Sequence, residues 1–99
     1  MGEPEREGAE RIDIGHGVMV VYTSWGTYDR AGLIEWHRSS AGAECGGGVL
    51  FDLPGVREAF PGRALWQVQS LEPLTLSPSL LCRTCGHHGW IRNGRWEPA

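Results

Sequence analysis

The run Cys82-Arg83-Thr84-Cys85, followed by Asn93-Gly94, constrains this chain more than any other feature. Two residues between thiols let one turn present both sulfurs to a single tetrahedral ion, and Gly86 relieves crowding where backbone amides approach them. Asn-Gly between apolar residues is the strongest short hairpin signal. Trp90-Ile91-Arg92 and Arg95-Trp96 flank it, and a two-residue type I′ loop sets Ile91 opposite Trp96 and Arg92 opposite Arg95. The apolar pair stabilises such a hairpin by about 0.2–1 kcal/mol. The facing arginines repel unless an anion or carboxylate lies between them. Residues 77–96 therefore read as a zinc knuckle running into a tight β-hairpin.

The chain has 99 residues, which is one domain with a modest core, so a structural metal would matter to its stability. Fifteen glycines imply many turns and few helices. The net charge is -3, and residues 1–11 contribute -2 of it through four glutamates against two arginines. The body is thus nearly neutral, unlike the basic stripe of a dedicated nucleic-acid binder. No apolar run reaches the roughly 18 residues of a membrane span, and no apolar segment follows Met1. Arg6 stands where a myristoylation motif needs Ser or Thr. These features imply a cytoplasmic protein without membrane contact. Three cysteines, two of them in C-x-x-C, then point to metal or redox chemistry before disulfides.

Residues 1–11 offer nothing to bury and are expected to form a mobile tail, with a single domain over 12–99. His16 lies between two glycines and reads as a turn residue. Val18 to Tyr22 is apolar on both alternations and β-branched, as in a strand covered on both sides. After a turn at 25–29, Ala31 to His37 is the next strand. Residues 38–48 read as a flexible loop bearing Cys45. Val49 to Leu53 is a strand, and 54–60 a short helix with Asp52 as its N-cap, ended by Pro61. Trp66 and Val68 alternate with Gln67 and Gln69 in a half-buried strand over 64–71. Leu74-Thr75-Leu76 leads into Ser77-Pro78-Ser79. The expected architecture is mainly β: five to seven short strands in a mostly antiparallel sheet or open barrel, with at most one short helix.

Zinc in a closed site takes four Cys or His ligands. Cys82 and Cys85 are set by spacing. His88, three residues after Cys85, is the expected third ligand, and Cys45 the fourth, with His37 in reserve. His87 is expected to face solvent. A deaminase-like open site would also need His-x-Glu or Cys-x-Glu on a helix, which is missing. A thioredoxin-like pair would need a βαβ setting, also missing. The leading reading is a zinc-stabilised module that binds another protein. A second is a hydrolase using Ser77 or Ser79 as nucleophile, His88 or His37 as base, and Asp52 or Glu35 as orienter. A third is a nucleic-acid-binding zinc ribbon, with Trp90 and Trp96 stacking bases among Arg83, Arg92 and Arg95.

Leu74-Thr75-Leu76-Ser77-Pro78-Ser79, then Cys85 and His88-Gly89-Trp90-Ile91-Arg92-Asn93-Gly94, resembles a family of small phage and bacterial proteins of unknown function. Its signature is Leu-Ser-Pro-Ser, a Cys with a His three residues on, and an aromatic-Ile-x-x-Gly hairpin. Some relatives resemble components of bacterial ubiquitin-like conjugation operons, for which a peptidase-like or zinc-binding role has been proposed. The resemblance carries Ser77, Ser79, Cys85 and His88 over as the family's serines, cysteine and histidine, and Cys45 as its loop cysteine. This chain gains Cys82 near the knuckle and keeps one cysteine upstream, which conserves ligand number for one zinc. The implied origin is phage or bacterial.

Overall fold

The computed structural model describes residues 10–99, so most of the expected tail at 1–11 lies outside the described residues. Of that segment, Arg11 is held in place: its guanidinium is 2.8 Å from Glu44 and 4.3 Å from the centre of the Trp36 ring.

Nine strands and one helical turn follow: β1 (Ile12–Gly15), β2 (Val18–Trp25), β3 (Tyr28–Arg38), β4 (Glu44–Phe51), α1 (Val56–Ala59), β5 (Leu65–Leu71), β6 (Leu74–Ser77), β7 (Leu80–Leu81), β8 (His88–Arg92) and β9 (Arg95–Pro98). The first six form one curled sheet in the order β1-β2-β3-β4-β5-β6, and the last three form a small sheet in the order β7-β8-β9. The mainly β expectation holds, with nine strands rather than the five to seven read from sequence. His16 occupies the β1–β2 turn with φ 54°.

Period-two alternation decides what each strand turns inward. On β2 and β3, Val18, Val20, Leu33, Glu35 and His37 are buried. They face the hollow of the curl, where Phe51, Leu76, Ile91 and Trp96 also pack. The small sheet closes that hollow, with β8 against β6 and β9 against β1. Two bonds from the hairpin tip fasten it: Gly94 N–H donates to the Leu74 carbonyl at 2.8 Å, and Asn93 N–H to Thr75 Oγ1 at 3.0 Å.

The tip has the geometry that Asn-Gly predicts. Both residues have positive φ (53° and 73°), and the register is Ile91↔Trp96 and Arg92↔Arg95. The repulsion between the facing arginines is relieved diagonally, because Arg92 pairs with Glu97 and lies over Trp90.

Two expectations are corrected. The supposed loop at 38–48 is mostly strand: β4 begins at Glu44 and runs through Gly46-Gly47-Gly48, paired with β3 from Arg38↔Glu44 to Gly32↔Leu50. Gly46 is required there, since a Cβ would lie 2.4 Å from the Trp36 ring that crosses it. Second, the N-cap of α1 is Gly55 at φ 90°, and Asp52 instead accepts from Arg57 at 2.8 Å. The sheet is mostly antiparallel, as expected, with one parallel step: β5 pairs with β4 at Leu50↔Leu65 and Phe51↔Trp66, across the crossover made by α1. None of the described helices is long and apolar enough to cross a membrane.

Candidate functional site

Two clusters of reactive side chains lie at opposite ends of the β7–β8 hairpin. The first is centred on His37. Alternation along β3 puts Glu35 and His37 on the inner face, and the β3–β4 register sets Cys45 directly opposite His37. The knuckle supplies the other half. Its turn is closed by Gly86 N–H to the Cys82 carbonyl at 2.7 Å, with Gly86 at φ 83°, and by Cys82 N–H to the His87 carbonyl at 2.8 Å.

The result gathers one ligand atom each from His37, Cys45, Cys82 and Cys85 within 4.8 Å of one another. His37 Nε2 is 3.3 Å from Cys85 Sγ, and its Nδ1–H donates to Glu35 Oε2 at 2.6 Å. Metal-ligating histidines characteristically use their other nitrogen this way, which fixes tautomer and ring plane. Burial opposes a charge on His37, but its hydrogen bonds to Glu35 and Cys85 outweigh burial and lift its pKa to about 9.

The thiols are electrostatically divided. Backbone N–H groups of Cys85 and then Thr84 help pull Cys82 down to about 6, whereas burial and then the neighbouring Cys85 and Cys82 push Cys45 up to about 11. Three sulfurs at one point cannot all ionise without a compensating cation. Three thiolates and one imidazole around a divalent ion are a closed tetrahedral donor set, so the residues fit zinc. Glu35, His37 and Cys85 alone have the order of a carboxylate–imidazole–thiol relay. The other two sulfurs converging on the same point fit a metal's donor set and add nothing to a nucleophile.

His88 is not in this cluster. It begins β8 beside Leu81, and its Nε2 is 2.8 Å from Ser79 Oγ. This pair is the second cluster. With the imidazole proton on Nδ1, the Ser79 hydroxyl donates to Nε2, the arrangement in which histidine serves a serine nucleophile as base. Ser79 is held from behind, because Trp66 Nε1–H donates to its carbonyl at 3.2 Å. Ser77 belongs to β6, where it pairs with Gln67. Neither expected orienter serves His88: Asp52 binds Arg57, and Glu35 binds His37.

His87, expected in solvent, is half-buried between His37 and Trp96, with ring centres 4.0 and 4.8 Å away. Burial, then the charge of His37, lower its pKa and keep it a neutral stacking ring. It also falls within 4.8 Å of Glu35 and His37 as a possible ligand group, but through the same His37. The base-stacking platform does not assemble either: Trp96 is 4% exposed in the core, and Arg92 is taken by Glu97.

A cavity of about 210 Å³ lies beside the first cluster and reaches Leu80 and Trp66, the neighbours of Ser79. Gly46-Gly47-Gly48, Trp66, Leu80-Leu81 and Arg83 border it, and His37 and Cys82 lie at one end.

The family model for the bacterial ubiquitination-like system serine protease (BubE) matches residues 34–99, from mid-β3 to the last residue. Both clusters lie within the match. No curated protein and no solved structure matches the chain. The family match supports the relation to ubiquitin-like conjugation operons expected from the resemblance.

Proposed function

The chain belongs to the BubE family of bacterial ubiquitination-like system serine proteases, and we propose that it is itself a serine hydrolase in which Ser79 is the nucleophile and His88 its base. The observation that carries this reading is the 2.8 Å contact between Ser79 Oγ and His88 Nε2. It favours the hydrolase over the pure binding module among the readings drawn from sequence. The substrate class that the family supports is an acyl bond at or near a ubiquitin-like protein.

In the proposed reaction, Ser79 Oγ attacks the substrate carbonyl while His88 Nε2 takes its proton. The tetrahedral adduct collapses, His88 returns that proton to the leaving group, and an acyl ester remains on Ser79. Water, deprotonated by His88, then hydrolyses the ester and restores the hydroxyl. Trp66 fixes the Ser79 backbone, and the Leu81↔His88 pairing fixes where the imidazole starts.

Zinc held by His37, Cys45, Cys82 and Cys85 would be structural, since four protein ligands leave no position for substrate. Its contribution would be to staple the loop that joins Ser79 to His88 onto the β3–β4 hairpin.

The test is a fluorophosphonate probe on zinc-loaded protein, mapped by mass spectrometry. One adduct on Ser79, absent in Ser79→Ala and retained in Ser77→Ala, is the expected result. Labelling of Ser77, or no labelling of protein carrying one zinc per chain, would overturn the assignment.

A further inference from the structure

The cavity that runs from the first cluster to Trp66 has an unusual border. β4 is paired with β3 along its whole length, but β5 joins its other edge only at Leu50 and Phe51. Among the described residues no strand occupies that edge from Cys45 to Val49. The lane that β5 fills at one end is therefore open at the other. Such an edge presents unpaired N–H and C=O groups.

The open stretch contains Gly46-Gly47-Gly48. Trp36 explains Gly46, but a Cβ on Gly47 or Gly48 would meet nothing within 4 Å. Neither has a positive φ. Among the described residues no close contact requires glycine at either position, and glycine inside a strand often marks close approach by another backbone. Alternation turns Gly47, like Cys45 and Val49, toward the cavity.

The cavity's other wall is β7, itself an edge strand. Ser79 immediately precedes it, and Arg83 follows it in the knuckle. Arg83 makes no ion pair among the described residues, so it charges that end of the groove positively. Cys45 lies at the knuckle end of β4, and Phe51 lies beside Trp66, which bonds Ser79. A chain entering past Arg83 and running parallel to β4 in the open lane thus heads for Trp66, whose indole bonds the Ser79 carbonyl.

We infer that this lane is the substrate site, and that it takes an extended polypeptide tail by strand addition to β4, with a small residue against Gly47 and an acidic residue near Arg83. The orientation rests on the Ser79–His88 reading; the strand addition does not. The proposal is an instance of β-augmentation, in which main-chain bonds give affinity and alternate side chains give specificity.

The probe is an acetylated peptide with one aspartate followed by three glycines, titrated into zinc-loaded, ¹⁵N-labelled Ser79→Ala protein. The expected result is amide shifts concentrated at Gly46, Gly47 and Gly48. N-methylation of alternate peptide amides should weaken binding about tenfold or more, with the intervening positions tolerated. Gly47→Val, whose Cβ would meet nothing within 4 Å, and Arg83→Glu should each weaken it about tenfold. No binding, shifts away from β4, or equal tolerance of N-methylation at every position would overturn the inference. Binding in the lane by a protein whose Ser79 is never labelled would sustain the groove and sink the dyad. Labelling without lane binding would do the reverse.

Discussion

His37 and His88 are both presented by β-strands near one knuckle, yet their surroundings differ in every physical respect. His37 is 4% exposed, and both ring nitrogens are engaged, one by Glu35 and one facing Cys85. His88 is exposed, with Ser79 at its Nε2. A buried imidazole locked from both sides is suited to hold something still. An exposed imidazole beside a hydroxyl is suited to pass a proton to and fro. The difference teaches that residue type and proximity to C-x-x-C do not assign a histidine its work. The partner of the second nitrogen and access to solvent do.

If that division is right, perturbing the two sides gives different kinds of failure. The largest effect should follow removal of the metal. Structural zinc in small domains carries an apparent binding energy of about 10–16 kcal/mol, comparable to or above the whole stability of a domain this size. A strong chelator, or Cys82→Ser, should therefore collapse the cooperative thermal transition followed by circular dichroism. An unchanged melting midpoint would break the comparison on the His37 side. Next, Ser79→Ala or His88→Ala should lower hydrolysis by about 10³-fold or more while leaving melting and zinc content as in the wild type. Activity surviving either change would break it on the other side.

Two smaller effects sharpen the contrast. Glu35→Gln removes the carboxylate behind His37 and should weaken zinc about 10–100-fold in a competition titration, with turnover unchanged at saturating metal. A matching loss of turnover would mean that Glu35 serves the chemistry directly. Trp66→Phe keeps a ring but removes the donor to the Ser79 carbonyl, a loss of about 1 kcal/mol. It should lower kcat about fivefold and the melting midpoint by about 4–8 °C. A fall in the midpoint without a fall in kcat would show Trp66 to be packing alone.

The C-terminal hairpin was legible in the sequence because its information is local. Asn93-Gly94 sets the turn, the turn sets the register, and the register pairs Ile91 with Trp96. The thiols of Cys82 and Cys85 were legible for the same reason. The partner histidine was read as His88 with His37 in reserve, because the choice depends on the β3–β4 register over 44–50. Gly46-Gly47-Gly48 disguises that stretch as loop: glycine is a poor strand former, and only the Trp36 ring lying over Gly46 reveals the pairing. The parallel contact between β4 and β5 leaves no local trace, since two residue pairs across a helical crossover have no periodic signature. His87 beside His88 gave no sign of which ring would turn inward. The closeness of Ser79 to His88 was within reach: a two-residue strand, a knuckle and a returning strand bring the residues at either end together, once the knuckle is taken as the tip of a hairpin.

The cluster around His37 also sets an order in time. Its four residues come from two hairpins far apart in the chain, and closing so long a loop costs entropy before any contact rewards it. The β7–β8 pairing spans only two residue pairs, too little to persist alone in water. It can dock only after β3 and β4 have brought His37 and Cys45 into place. A chain made from its N-terminus therefore completes its framework first and its reactive pair last. On the Ser79–His88 reading, a nascent protein whose β7 to β9 are still emerging from the ribosome has no means of attacking the chains growing around it.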